Sequence, residues 1–380
     1  MRTLIRPYFY LTGARYKPYT PKSQKYLVLT NHTTNWDFFL SGLVLKRHMY
    51  FVASDHIYRL GFVSAVIRFL GNPIPRKKGA SGDSAVKEIL HRMNEGSNVC
   101  MAAEGNRSFS GETGFISPRT VELVRQCNAG LITLVVRGGY FINPRWGTKK
   151  RKGPCYAEVV QEYSAEEIAR MTDEQLYSRI CGDLFVDAYA DQKKLNAEYK
   201  CRNLSENLET ALFICPHCHA VSSMKSSGNS FICENCKKEL VFNTHGIFES
   251  PSGDEVEFPT VTGWYKWQLA YLKDYLISLP KDEIPIFTDD SLSLFILEGN
   301  SGKTLLETGR LMLYHDRLEF VGECNRFSFL LKDISKMSLV LRGKLFFTVG
   351  DNYYEITGKH EYCALKYLIS CKFLLGKNYI

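Results

Sequence analysis

No stretch of this 380-residue sequence reaches the roughly 18 to 20 consecutive apolar residues that a membrane-crossing helix needs. Even Phe38 to Leu45 stops at Lys46-Arg47. The first residues also lack the apolar run and small-residue cleavage site of a secretory signal. No internal repeat recurs, and 45% hydrophobic with 23% charged residues excludes a disordered or collagen-like chain. Acid is scarce at one end only. Residues 1 to 152 hold 24 Lys+Arg and 8 Asp+Glu, a net of +16, whereas residues 153 to 380 hold 24 and 32, a net of −8. The first part is therefore suited to attracting anions. The 12 cysteines do not read as a disulfide framework, because eight stand singly and four form two Cys-x-x-Cys pairs. The expectation is a cytoplasmic protein, peripherally associated with the cytoplasmic face of a membrane.

From Tyr26 to Val160 short apolar runs alternate with segments of helical period. Strands are expected at Lys25 to Leu29, Met49 to Ala53, Asn98 to Ala102, Leu131 to Val136 and Cys155 to Val160. Helices are expected at Trp36 to Lys46, Tyr58 to Phe69, Asp83 to Met93 and Ser117 to Gln126. That alternation implies an α/β domain with a mixed sheet flanked by helices. The charged helical segment Ser164 to Leu195 closes it, which places the first domain at 1–200.

A different composition follows. Cys215-Pro-His-Cys218 and Cys233-Glu-Asn-Cys236 are separated by 14 residues. Two such pairs offer four thiolates, enough to fill a tetrahedral site and leave no position for water, so the expected cofactor is one structural zinc in a ribbon at 201–245. His217 and His219 are competing ligands. Residues 246–300 read as a linker containing an aromatic amphipathic helix from Pro259 to Leu279, with Trp264, Tyr265, Trp267, Tyr271 and Tyr275. From 301 to 380 the period falls to two and then returns to helical at His360 to Leu375, implying a small antiparallel β domain with a C-terminal helix. The ribbon has no basic patch, with 4 Lys+Arg against 5 Asp+Glu over residues 201 to 250, so no nucleic-acid partner is expected.

Chemistry concentrates behind the first apolar strand, in "NHTTNWD". Positions five apart on a regular helix lie about 140° apart around the axis, so His32 and Asp37 can meet only if His32 lies in a strand-to-helix turn. A helix starting at Thr33 to Asn35 would allow it, those residue types being good caps. Asp37 accepting the Nδ1 proton would fix the tautomer and make Nε2 a base for a hydroxyl proton. A cap for His32 and a dipole partner for Asp37 would use the same two residues, so the neighbours decide. "GNPIPRKKG" places Arg76, Lys77 and Lys78 in a Pro- and Gly-bounded turn. "AAEGNRSFSG" ends a strand in Glu104-Gly105-Asn106-Arg107-Ser108, a tight turn with backbone N–H groups and a guanidinium suited to a phosphate monoester.

In this order the three blocks, His-x4-Asp, Ile-Pro-Arg and Glu-Gly-x-Arg-Ser, resemble the glycerophospholipid acyltransferases, the 1-acylglycerol-3-phosphate (lysophosphatidate) acyltransferases in particular, over roughly residues 20 to 190. The resemblance implies an enzyme of phospholipid synthesis in which His32 is the general base and Asp37 its orienting partner. Arg76, Glu104, Gly105, Asn106 and Arg107 correspond to the acceptor-phosphate site. It implies acyl-CoA or acyl-carrier protein as co-substrate, no catalytic metal, a lysophospholipid acceptor and an anionic membrane surface as partner. Glycerol 3-phosphate or another lysophospholipid is an alternative acceptor, and a non-catalytic lipid-binding scaffold is the alternative outside enzymes. Ala103 and Asn106 stand where the family usually has Pro and Thr, which marks a divergent branch. The "MRTLIRPYFYLTGARYKPY" segment mixes aromatic and basic residues as an interfacial segment does. The last strands and helix resemble pleckstrin-homology-like or GRAM-like modules.

Overall fold

A computed structural model describes residues 2–59, 71–76, 82–281, 283–298, 302–358 and 362–377. A short helix α1 (Arg2–Leu11) leads into β1 (Ala14–Tyr16), β2 (Tyr26–Thr30), α2 (Asp37–Leu45), β3 (Tyr50–Ser54) and β4 (Ile74–Arg76). Then come α3 (Asp83–Asn94), β5 (Val99–Ala102), α4 (Arg119–Gln126), β6 (Gly130–Arg137), the single turn α5 (Gly139–Ile142) and β7 (Cys155–Tyr163). The helix expected at Tyr58 to Phe69 lies, beyond Arg59, outside the described residues, as do Lys77 and Lys78.

The seven strands form one mixed sheet in the order β1-β7-β6-β2-β5-β3-β4. The pairs of β2 with β5 and β6, and of β3 with β4 and β5, are parallel, while β7 runs antiparallel to β6. β2 lies at the centre with all five residues buried, as a parallel strand covered on both faces must be. Its alternating side chains feed two cores: Leu27 and Leu29 pack with α3, α4 and their neighbours, and Tyr26 and Val28 pack with α2. Each such buried aliphatic contributes about 1.5–3 kcal/mol. Because β2, β4, β5 and β6 are mutually parallel, their C-terminal ends open on the same edge, the place where α/β sheets collect ligands.

Helices α6 (Ala165–Arg170), α7 (Asp173–Leu184) and α8 (Ala188–Leu195) follow; α6 and α7 begin with reciprocal capping boxes at Ser164/Glu167 and Thr172/Gln175. Next, a four-stranded antiparallel sheet, ordered β11-β10-β9-β8, is built from β8 (Met224–Ser227), β9 (Ser230–Cys233), β10 (Glu239–Phe242) and β11 (Phe248–Glu249). Helix α9 (Val261–Ser278) follows it. It is more deeply built in than an amphipathic surface helix: Trp264 and Tyr265 are buried, and the Gln268 amide accepts the N–H groups of Phe213 and Ile214 at 2.6 and 3.0 Å. Only Trp267, Tyr271 and Tyr275 form a partly exposed stack along one side.

The last unit is a seven-stranded antiparallel sheet, β15-β14-β13-β12-β18-β17-β16, with the C-terminal helix α10 (Ala364–Leu374) packed on it. Its strands are β12 (Phe287–Glu298), β13 (Gly302–Leu313), β14 (Arg317–Gly322), β15 (Arg326–Leu330), β16 (Ile334–Val340), β17 (Lys344–Val349) and β18 (Asn352–Gly358). β12 begins inside the stretch read from sequence as linker. A bulge between Asp289 and Leu292, with Ser291 at φ 59°, breaks the period of two there. The ribbon-like sheet, α9, this sheet and α10 share one continuous hydrophobic core, which also takes in Phe109 and Trp146 from the first domain.

Candidate active site

The end of β2 is fixed before any reactive group appears. Asn31, fully buried, bonds both ways with Val136 on β6, Oδ1 accepting its N–H at 2.8 Å and Nδ2 donating to its carbonyl at 3.1 Å. The next residue is held on both backbone sides: His32 N–H donates to Glu104 Oε1 at 2.7 Å, and its carbonyl accepts from Ser108 N–H at 3.4 Å.

His32 Nδ1 lies 3.0 Å from Asp37 Oδ2. The helix starts later than the expected Thr33 to Asn35: Asp37 is its first residue and Trp36 its cap, without a side-chain cap bond. Residues 33 to 36 instead wrap around the carboxylate. Asp37 is fully buried and accepts from Thr33 N–H (2.7 Å), Thr34 N–H (2.9 Å), Thr34 Oγ1 (2.6 Å) and Thr33 Oγ1 (3.2 Å). The two threonines are thus the walls of a carboxylate nest at a helix N-terminus, where a negative charge is favoured. With Asp37 receiving the Nδ1 proton, Nε2 is the basic nitrogen, and the imidazole keeps 18% of its surface exposed.

Glu104 follows β5. Its second oxygen accepts Gly114 N–H at 2.6 Å, so both oxygens are occupied by backbone amides from different loops. Burial pushes its carboxyl up to about 8, against the pull of those two amides, and the charge of Asp37 adds to the rise. This geometry makes Glu104 a staple for the His32 turn. Gly105, at φ +70°, lies under Arg76: a Cβ there would stand 2.8 Å from Arg76 Nη1. The left-handed backbone favours glycine here, and the Arg76 guanidinium passes close above it. Asn106 is half-buried in the same turn. Burial lowers the pKa of Arg76 and brings that of Arg107 down to about 10. Arg107 Nη1 donates to the carbonyl and side-chain oxygens of Asn143 at 3.1 and 2.6 Å. The structure therefore gathers His32, Asp37, Arg76, Glu104, Gly105, Asn106 and Arg107 at one edge of the sheet.

Sequence reading missed the loop after β6. Gly139 comes so close that a Cβ would stand 2.2 Å from Thr33 Oγ1, and Asn143 and Arg145 support Arg107. The Gly138-Gly139 pair at the end of an apolar strand was the available signal.

The four cysteines converge far from this edge in sequence. Their sulfurs all lie within 4.8 Å of one another, with Cys215 to Cys236 at 3.7 Å and Cys218 to Cys233 at 3.6 Å. A tetrahedral zinc with bonds of about 2.3 Å would set sulfurs about 3.8 Å apart, so the arrangement fits such an ion. His219 and Lys237, each following the second cysteine of its pair, adopt left-handed φ of 60° and 63° and return their N–H to Cys215 and Cys233 at 2.9 Å. The two knuckles are therefore built alike. The His219 ring packs at a tilt of 38° against Tyr271, with centroids 4.7 Å apart, and the cluster that could hold a metal comprises the four cysteines.

Residues 14–141 match the family model described as Acyltransferase. No curated protein matches the chain. Among solved structures the chain is similar to the 1-acyl-sn-glycerophosphate (LPA) acyltransferase PlsC from Thermotoga maritima, at 15% identity and TM-score 0.42, covering 51% of this chain and 78% of that one. So distant a likeness transfers neither an acceptor nor a residue role.

Proposed function

We propose that this protein transfers a fatty acyl group from acyl-CoA or acyl-carrier protein to the sn-2 hydroxyl of 1-acylglycerol 3-phosphate, giving phosphatidate. The observation that carries this reading is the His32–Asp37 pair after β2, at the same edge of the sheet as two half-buried guanidiniums, Arg76 at the end of β4 and Arg107 in the turn after β5. A base beside a cationic site suits an acceptor that presents a hydroxyl and a phosphate together.

In this mechanism Nε2 of His32 takes the hydroxyl proton as the oxygen attacks the thioester carbonyl. Asp37 stabilises the imidazolium that forms. The new C–O bond replaces the C–S bond, and the proton passes from His32 to the departing thiolate. Arg76 and Arg107 hold the phosphate and so fix the distance from the hydroxyl to His32.

We further propose that Cys215, Cys218, Cys233 and Cys236 bind one structural zinc, since four thiolates leave no open position. No described helix is long and apolar enough to cross a membrane. The exposed Tyr10 and Leu11 beside Arg15 support contact with an anionic bilayer surface, and the C-terminal sheet and helix are proposed as a second docking module.

The test is acyl transfer from labelled acyl-CoA to lysophosphatidate on liposomes. The parent should transfer, and Arg107→Ala should raise the acceptor KM far more than the donor KM. An inactive parent across lysophospholipid acceptors and glycerol 3-phosphate overturns the proposal; equal effects of Arg107→Ala on both KM values overturn the phosphate role.

A further inference from the structure

The loop that carries the anion site, residues 104 to 114, is attached to both halves of the molecule. Phe109 leaves the first domain and enters the core of the C-terminal half beside Trp146. Helix α9 holds the same loop, Thr262 Oγ1 donating to the Ser110 carbonyl at 2.7 Å and Lys266 pairing with Glu112 at 2.6 Å.

Arg145 makes the closest link. Its guanidinium is buried and donates to three carbonyls: Arg107 at 2.9 Å, Leu339 on β16 at 3.0 Å and Leu341 just beyond it at 3.1 Å. It also lies 4.3 Å over the Phe109 ring. No carboxylate pairs with it among the described residues, and burial, with the nearby Arg107 charge, lowers its pKa to about 9. A buried cation without an acid is costly, and a fold retains one only where several oriented dipoles converge. Leu341 supplies one of them from a left-handed conformation, φ 55°, which is strained for a branched residue. Two residues earlier in the same loop, Asn143 grips the side chain of Arg107. The segment 143 to 145 thus holds Arg107 by both its backbone and its head group.

We propose that Arg145 is a positioning residue through which the C-terminal sheet sets the Arg107 anion site, so that the C-terminal half determines how tightly the acceptor phosphate is held. This rests on the phosphate role of Arg107 in the proposed function. It makes the last 80 or so residues part of the substrate site rather than an appended docking module alone.

The experiment is calorimetric binding of glycerol 3-phosphate, with glycerol as control, to the full chain. Arg145→Gln should weaken glycerol 3-phosphate binding about tenfold, the scale of a lost charge-assisted contact, and leave the glycerol baseline unchanged. Arg145→Lys should recover only part of the loss, because one ammonium cannot span three carbonyls. In an Arg107→Gln background the Arg145→Gln change should add less than about twofold, since its effect passes through Arg107. Parent-like affinity in Arg145→Gln, or losses that multiply in the double variant, overturns the proposal. If Arg145→Gln does not fold, parent-like affinity in Arg145→Lys overturns it instead. A parent that binds glycerol 3-phosphate but transfers no acyl group overturns the proposed function and leaves the coupling standing; a parent that binds no phosphate overturns both.

Discussion

His32 Nδ1 and Asp37 Oδ2 are 3.0 Å apart although five residues of regular helix would turn them away from each other. The contact exists because Asp37 opens α2 and the four residues before it coil over its carboxylate. Replacing His32 by Ala should leave the fold intact and reduce acyl transfer about 10² to 10⁴-fold. Asp37→Ala should cost activity and stability together, because it strands the buried N–H and hydroxyl donors of Thr33 and Thr34, at about 1–3 kcal/mol for each group left unsatisfied. Steady-state rates with thermal unfolding separate the two cases; equal melting temperatures would contradict the nest.

Gly139 should be nearly as sensitive as the dyad although it carries no functional group. A Cβ there would overlap Thr33 Oγ1, which bonds Asp37. Gly139→Ala is expected to lower kcat at least tenfold with little change in acceptor KM, the signature of a displaced base. A purely KM effect would place the disturbance at the phosphate instead.

The Glu104 staple makes stability depend on pH in an unusual direction. Its carboxyl titrates near 8 when folded, above the 4.5 of an ordinary glutamate. The folded state therefore binds this proton more tightly, and its contribution is fully present below about pH 4.5 and is lost as pH rises to about 8. Melting temperatures measured across that window should fall more steeply for the parent than for Glu104→Gln. Parallel curves would show that Glu104 does not titrate in this range.

The four-cysteine cluster predicts about one zinc per chain by metal analysis, lost in Cys215→Ser and on strong chelation. Because Lys366 of α10 reaches Ser222, just beyond the first knuckle, at 2.8 Å and Asp289 of β12 at 2.8 Å, metal loss should loosen the C-terminal sheet as well. Hydrogen exchange in β12 and α10 is the measurement, and unchanged protection there would confine the metal's influence to the ribbon.

The α/β part was legible in the sequence because buried parallel strands leave unbroken apolar runs and amphipathic helices keep their period. Tyr26–Thr30 and Asp83–Asn94 lie within a residue or two of where that pattern puts them. Sequence also singled out His32, Asp37, Arg76, Glu104 and Arg107, which follow apolar runs and meet at one edge of the sheet, and the two Cys-x-x-Cys pairs that converge. β12 was hidden because its bulge at Ser291 breaks the alternation that identifies a strand. Tertiary structure alone decided that Glu104 spends both oxygens on backbone amides, that Gly139 walls the dyad, and that Arg145 joins the Arg107 loop to carbonyls about 195 residues further along. Those relations depend on which strands neighbour one another and where a loop meets a distant turn. Local periodicity and spacing carry no information about contacts made across so much chain.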